Sequence, residues 1–283
     1  MNNLGKRQNE EKMLMLQYSA RCNFNRAEVM YNLSWLLPIL NIVLANIPTI
    51  KSHLGNGLVI ISAVITVSVI VLKTFVNKFT MIAAGTRQLF DYELFSFEKP
   101  SIFAGINEND ISAKASEERQ RNNKKYQNQI GYTGRDKEHG VKDWYRIDPS
   151  WDEKTAIHKC QQQNPVFDKK LSLIISAAFY AILALCIIIV IVLNLNTTVH
   201  ALILSGCSII PLLTKIVETL CNIHNLNQII GIEDERLSSP DSSLIRAQEK
   251  IDERRRFAFI IPNFLYKIMC DKLHNTVDDV FMK

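Results

Sequence analysis

The chain has 283 residues, 47% of them apolar and 22% charged, an average that looks globular only because apolar blocks alternate with charge-dense ones. A net charge of +5 is too small and too dispersed to argue for binding DNA or RNA. The six cysteines, at positions 22, 160, 186, 207, 221 and 270, form no CxxC and no cluster with histidine at metal-ligand spacing. No metal and no cofactor is expected from them; they suit a reduced cytosol and a lipid interior.

Residues 1–30 are polar, yet Met13, Leu16, Ala20, Phe24, Ala27 and Tyr31 recur at three- and four-residue spacing and so share one helical face. The spacing predicts an amphipathic cytosolic helix that runs into the membrane, lying either on lipid headgroups or against the protein's own cytosolic domain. The opening MNNLGKRQNEEK lacks the basic stretch, short apolar core and cleavage site of a secretory signal, so no cleaved signal is expected. From Val29 to Ile50 there is no charge, and Tyr31 and Trp35 stand at one border, where amphipathic rings favour the interface. Pro38 inside this run frees the carbonyl of Ser34 and predicts a kink. A turn over Lys51 to Gly57 leads to a second apolar run, giving a first transmembrane hairpin at 31–78 with spans of about 31–50 and 54–75. The second helix continues past Lys73 and Lys78 as a stalk.

Residues 79–170 form the soluble segment long enough to hold its own tertiary structure. Its middle, Asn107 to Lys142, is rich in Asn, Gln, Lys and Glu and reads as an exposed helix followed by a loop around Gly131, Gly134 and Gly140. Its borders, GTRQLFDYELFSF and DWYRIDPSW, are aromatic. Leu171 to Thr214 then contains no Asp, Glu, Lys or Arg. A membrane helix needs about 20 apolar residues. This region holds two, in a second hairpin at 171–220 with spans 171–193 and 199–220, separated by Asn194, Asn196, Thr197 and Thr198. The alternative, a buried helical pair of a soluble protein, ordinarily shows a charged stripe. The tail, 221–283, predicts a helix from Cys221 to Leu237, a break over Ser238 to Ser243, a helix from Leu244 to Phe257, and a last helix carrying Phe264, Leu265, Ile268 and Leu273.

The expected fold class is an all-α membrane protein, with four transmembrane helices as two hairpins. A mainly helical cytosolic domain is built from the N-terminal arm, the central segment and the C-terminal tail. Lys and Arg concentrate in those three parts while the short loops carry only Lys51, so both termini are expected in the cytosol.

No GxSxG, GxxxxGK[ST], HExxH or glycine-rich fingerprint is present, and no residue nominates itself as catalytic, so an enzyme is not expected. The membrane helices carry polar stripes instead: Ser62, Thr66 and Lys73; Ser172, Ser176 and Tyr180; Ser205, Ser208, Lys215 and Thr219. Such stripes either line an aqueous path or bond helices together. Lys215 and Glu218, three apart, either pair on one face or snorkel to the cytosolic border.

Four blocks carry a resemblance: RQNEEKMLMLQYSARCNFNRAEVMY at the start, RQLFDYELFSF, DWY followed by CQQQNPVFDKKL, and RRRFAFIIPNFLY near the end. In order and over nearly the whole chain, they resemble the SMODS-associated four-transmembrane effector family. The resemblance implies a pore-forming effector of bacterial anti-phage (CBASS-type) defence at the inner membrane. A CD-NTase-type nucleotidyltransferase would make a cyclic oligonucleotide, the effector would sense it in the cytosol, and its membrane part would then breach the lipid bilayer and kill the cell. Four helices are too few to surround a wide path, so a pore requires a homo-oligomer. Nucleotide ligands need stacking rings and cations, which makes Arg87, Lys142, Trp144, Tyr145, Arg146 and Trp151 the candidate ligand surface, unless Trp144 and Tyr145 simply close the cytosolic core. Ser62, Thr66, Lys73, Ser205, Ser208, Lys215 and Glu218 are the candidate pore and gating residues. Two other readings stay open: a membrane-anchored sensor or scaffold that recruits a soluble partner without conducting, and a small transporter subunit, although no broken-helix repeat is evident.

Overall fold

Four helices of unusual length set the architecture of the computed structural model, which describes residues 2–47, 53, 55, 57–136, 139–194, 199–238, 243–257, 268, 269, 272, 275, 278 and 279. The elements are α1 (Leu4–Arg7), α2 (Glu11–Asn46), α3 (Gly57–Phe95), α4 (Glu108–Arg121), α5 (Asn123–Gly131), α6 (Glu153–Asn194), α7 (Val199–Ser238) and α8 (Leu244–Arg255). The described residues contain no strand, only isolated bridges such as Phe103 with Ile106.

The long helices α2, α3, α6 and α7 have 36, 39, 42 and 40 residues. At a rise of 1.5 Å per residue each is about 54–63 Å long, roughly twice the thickness of a hydrocarbon core. Each therefore has one half that is apolar and another that is not. Along the apolar halves, large side chains face outward: Ile60 is 68% exposed, and Val64, Val67 and Ile70, Val29 and Leu36, Leu185 and Val192, and Ile210 are also open. So much contiguous apolar surface is a liability in water and the expected outer face in lipid. Glu11–Leu44 and Gly57–Phe95 each contain a stretch long and apolar enough to cross a membrane.

α2 packs along α3 and α6 along α7, with α2 also against α7. Pro38, Pro165 and Pro211 lie inside α2, α6 and α7, each removing one helix hydrogen bond. Each helix continues through its proline. Beside Pro165, the Asn164 side chain donates to the Cys160 carbonyl at 3.3 Å.

The polar halves gather at one end, where α1, α4, α5 and α8 pack around them. The core there joins Leu4, Met13 and Leu16 to Leu89, Phe90 and Leu94, Phe103, Ile111, Tyr145, Ala156 and Cys160. Met13, Leu16, Ala20, Ala27 and Tyr31 are buried in the protein, which decides between the two placements of the N-terminal arm in favour of its own domain. The end of α3 is not a free stalk, since almost every residue from Thr80 to Phe95 is buried. Gly85 explains how closely the chain crosses it: a Cβ there would lie 2.6 Å from the Phe103 carbonyl oxygen.

α4 starts where the Asn107 side chain accepts from the Asp110 amide at 2.8 Å, and Asn122 repeats the device with Lys125 at 3.1 Å to begin α5. α7 ends at Ser238 and α8 begins at Leu244; of the predicted break at Ser238 to Ser243, residues 239–242 lie outside the described residues. Of the predicted last helix, Ile268 is helical, whereas Phe264, Leu265 and Leu273, like both hairpin turns at 48–52 and 195–198, lie outside the described residues.

Candidate functional site

The polar halves meet in a buried network built around three consecutive arginines at the end of α8. The Arg255 guanidinium is sealed in the interior; its Nη1 donates to Asp91 Oδ2 on α3 at 2.5 Å. Its Nη2 donates to Asn164 Oδ1 on α6 at 3.2 Å and to the Tyr145 hydroxyl at 3.3 Å. Asp91 is fully buried and also accepts from the Tyr145 hydroxyl at 2.9 Å and from Gln248 Nε2 at 2.9 Å. Arg254 ion-pairs with Asp168 on α6 and, at 2.8 Å, with Glu233 on α7. Arg256 donates to Gln88 on α3 at 3.1 Å. One turn of α8 thereby ties the polar ends of α3, α6 and α7 together.

The electrostatics follow from burial. Desolvation lowers the Arg255 guanidinium, but Asp91, Tyr145 and Asp252 outweigh it and hold the group above its ordinary value. Burial, reinforced by the Asp91 charge, raises the Tyr145 hydroxyl, so it stays a donor. Asp252, on the same helix, is pushed up to about 7 by burial despite the opposing Arg255.

Tyr145 belongs to the loop between α5 and α6, and that loop is pinned at both backbone faces. Gln8 accepts from the Tyr145 amide at 2.9 Å and donates to its carbonyl at 3.1 Å. Asn9 accepts from the Asp143 amide at 2.9 Å, and Asp143 takes the left-handed conformation at φ 47°. With Tyr145 turned in, its neighbour Trp144 turns out, 38% exposed. The Arg87 guanidinium lies 3.6 Å from the Trp144 ring centroid, a cation–π stack. Arg87 is itself buried, and its Nη1 has no hydrogen-bond partner among the described residues. Burial, followed by the like charge of Arg255, lowers Arg87 to about 9, so it remains a cation at neutral pH.

Of the six candidate ligand residues, the fold thus brings Arg87 and Trp144 into contact and leaves Lys142 and Arg146 exposed on the same loop. Tyr145 closes the core, 3% exposed, and Trp151 is half-buried against that core. Asp91, Asn164, Gln248 and Arg255 were not singled out from the sequence, although all but Gln248 stand inside the four resemblance blocks.

In the apolar half, Ser62 donates to Asn41 of α2 at 3.0 Å, and Thr66 donates to the Ser62 carbonyl of its own helix at 2.8 Å. Lys215 and Glu218 each take a partner from another helix. Lys73 of α3 pairs with Glu218 at 2.6 Å, while Lys215 is buried with its ammonium 4.9 Å from the Tyr31 ring and 5.9 Å from the Trp35 ring, both on α2. The side chains of Ser205 and Ser208, on α7, lie outside the described residues.

Four long helices, apolar and outward-facing along one half and locked to a polar helical domain along the other, define an all-α integral membrane protein. A family model described as the SMODS-associating 4TM effector domain matches residues 2–280. The chain belongs to that family of membrane effectors, and its four transmembrane helices are those the family implies. No curated protein and no solved structure matches the chain.

Proposed function

We propose that this protein sits in the bacterial inner membrane as two hairpins, at 31–78 and 171–220, with both termini in the cytosol. It senses a cyclic oligonucleotide there and permeabilises the membrane as a homo-oligomer, causing abortive cell death in phage defence. The observation that carries the reading is the continuity from an exposed ring to the helix bases. Trp144 stacks on Arg87, its neighbour Tyr145 bonds Asp91 and Arg255, and α8 ties α3, α6 and α7. An indole over a guanidinium offers a base-stacking face beside a phosphate-seeking cation, and Lys142 and Arg146 add charge on the same loop. A ligand shifts the assembly only by binding one arrangement better than the other. Displacing Trp144 or Arg87 would move Tyr145 and thereby bear on the network under the bundle. Among the described residues Ser62 bonds Asn41 and Lys215 lies close to the Tyr31 and Trp35 rings, which supports a conducting path between copies, with Lys73, Lys215, Glu218 and the Ser62, Thr66, Ser205 and Ser208 stripes as gating elements.

The test uses purified full-length protein in liposomes loaded with a self-quenched dye and a panel of cyclic di- and trinucleotides, one of which should cause leakage. Trp144→Ala should fold normally and lose at least about fivefold in ligand potency, as expected for a stacking contact of about 1–3 kcal/mol. Ligand bound with vesicles intact would overturn the pore and leave a sensor or scaffold. Unchanged potency in Trp144→Ala would overturn the sensing face.

A further inference from the structure

We infer that Arg135 and Arg146 form a phosphate-binding site that the C-terminal Asp278 occupies from within the same chain, as an internal stand-in for the phosphate of a nucleotide ligand. The inference rests on the sensing reading for the source of that phosphate, while the site itself stands on geometry.

Asp278 meets Arg135 through both oxygens, Nη1 to Oδ2 at 2.7 Å and Nη2 to Oδ1 at 2.8 Å, and Arg146 Nε reaches Oδ1 at 3.3 Å. A paired, parallel approach of this kind fits a carboxylate or a phosphate equally, because both present two oxygens to the planar fork. Two cations converge on one anion, leaving one positive charge unspent. A phosphate group, with more charge and a third oxygen, satisfies the pair better than the carboxylate does.

The arginines are set in place independently of Asp278. Arg135 lies in a turn where Asp136 accepts from the Thr133 amide at 2.6 Å and its hydroxyl at 2.9 Å. The backbone of Arg146 is gripped on both sides by Gln163, at 3.0 and 2.8 Å. Arg146 stands two residues after Trp144 on the same loop, which puts the proposed phosphate site on the segment that also carries the proposed stacking ring. Asp278 belongs to the helical residues at the end of the chain, and its side chain remains 31% exposed. Being partly exposed, the pair competes with water and with other anions, which is what a replaceable occupant requires. While Asp278 is seated, the apparent affinity for an external phosphate is reduced by the fraction of molecules in which the site is filled.

The experiment uses the full chain in zwitterionic nanodiscs with pyrophosphate as the probe, and reads its affinity by calorimetry and hydrogen exchange over residues 268–279. Asp278→Asn should bind pyrophosphate about tenfold more tightly than the wild type, Arg135→Gln and Arg146→Gln should bind it more weakly, and pyrophosphate should speed exchange in the wild-type tail. Melting temperatures of all three variants report on folding separately. Equal or weaker binding by a folded Asp278→Asn, or a tail whose exchange ignores saturating pyrophosphate, would overturn the inference. A second arm replaces the lipid with phosphatidylglycerol. Faster tail exchange there without pyrophosphate would assign the site to lipid headgroups and overturn the nucleotide source. Dye leakage is scored in parallel: tight vesicles alongside the expected binding would refute the pore reading and leave the phosphate site standing.

Discussion

Separating Arg255 from Asp91 is the sharpest test of the network. The Arg255 side chain is 9% exposed and that of Asp91 is 0%, so each loses its main compensation when its partner is removed, with Asp252 at 3.7 Å left beside Arg255. Breaking a buried pair by removing one member costs about 3–5 kcal/mol, chiefly because the other charge stays buried and uncompensated. Asp91→Asn should therefore lower stability by about that amount, and Arg255→Met by as much or more, since Tyr145 and Asn164 also lose a donor. In a chain of this size, a loss of 1 kcal/mol moves the melting temperature by about 2–4 °C, so each single variant should melt roughly 6–20 °C lower in detergent. The combined variant removes both charges, and should melt well above the position obtained by adding the two single shifts. A coupling of at least about 2 kcal/mol in this cycle is expected. Additive shifts, or single shifts under about 3 °C, would refute the view that this pair holds the domain together.

Asp252 should give stability a distinctive pH profile. Its folded value is pushed up to about 7 against about 3.9 in an unfolded chain, so between those values the folded state keeps a proton that the unfolded state releases. The contribution of Asp252 should fall as pH rises from about 4 to about 7, with buried Glu233, pushed up to about 8, adding a loss of the same sign above that; Asp252→Asn should show a smaller drop between pH 5 and pH 8 than the wild type. The Lys73 and Glu218 contact at 2.6 Å should survive reversal: Lys73→Glu alone should alter toxicity at equal expression, and Lys73→Glu with Glu218→Lys should restore it. Gly85→Ala places a methyl 2.6 Å from the Phe103 carbonyl oxygen and should cost about 1–3 kcal/mol, read as a lower melting temperature; a neutral result would mean that the crossing at Phe103 yields easily.

Apolar periodicity made the helices legible, because lipid and core both act residue by residue on the chain that carries them. The inward face of Met13, Leu16 and Ala20 was readable for that reason. The placement of Tyr145 was not. Rings and cations clustered in DWYR are consistent with either an outward or an inward setting, and the answer lay in Gln8 and Asp91, 137 and 54 residues away. Lys215 and Glu218 were read either as a pair on one face or as snorkelling to the cytosolic border; their spacing did not show Lys73 beside Glu218 or the Tyr31 and Trp35 rings beside Lys215. Arg254, Arg255 and Arg256 belong to the tail charge that was read as setting orientation, yet the side chains of the first two are only 7% and 9% exposed. Spacing along a chain reports which face a residue occupies; it carries no information about a partner 164 residues away.

That distance has a consequence for how the protein is made. A ribosome delivers Asp91 soon after the first apolar pair of helices, and Arg255 only after the second pair has emerged. Throughout the interval Asp91 and Tyr145 lack the cation that completes their site, and Asp168 and Glu233 wait for Arg254 in the same way. The links from Arg254 to α6 and α7 have no partners until that second pair has been made. α8 therefore completes the polar domain only after both apolar pairs of helices have been made.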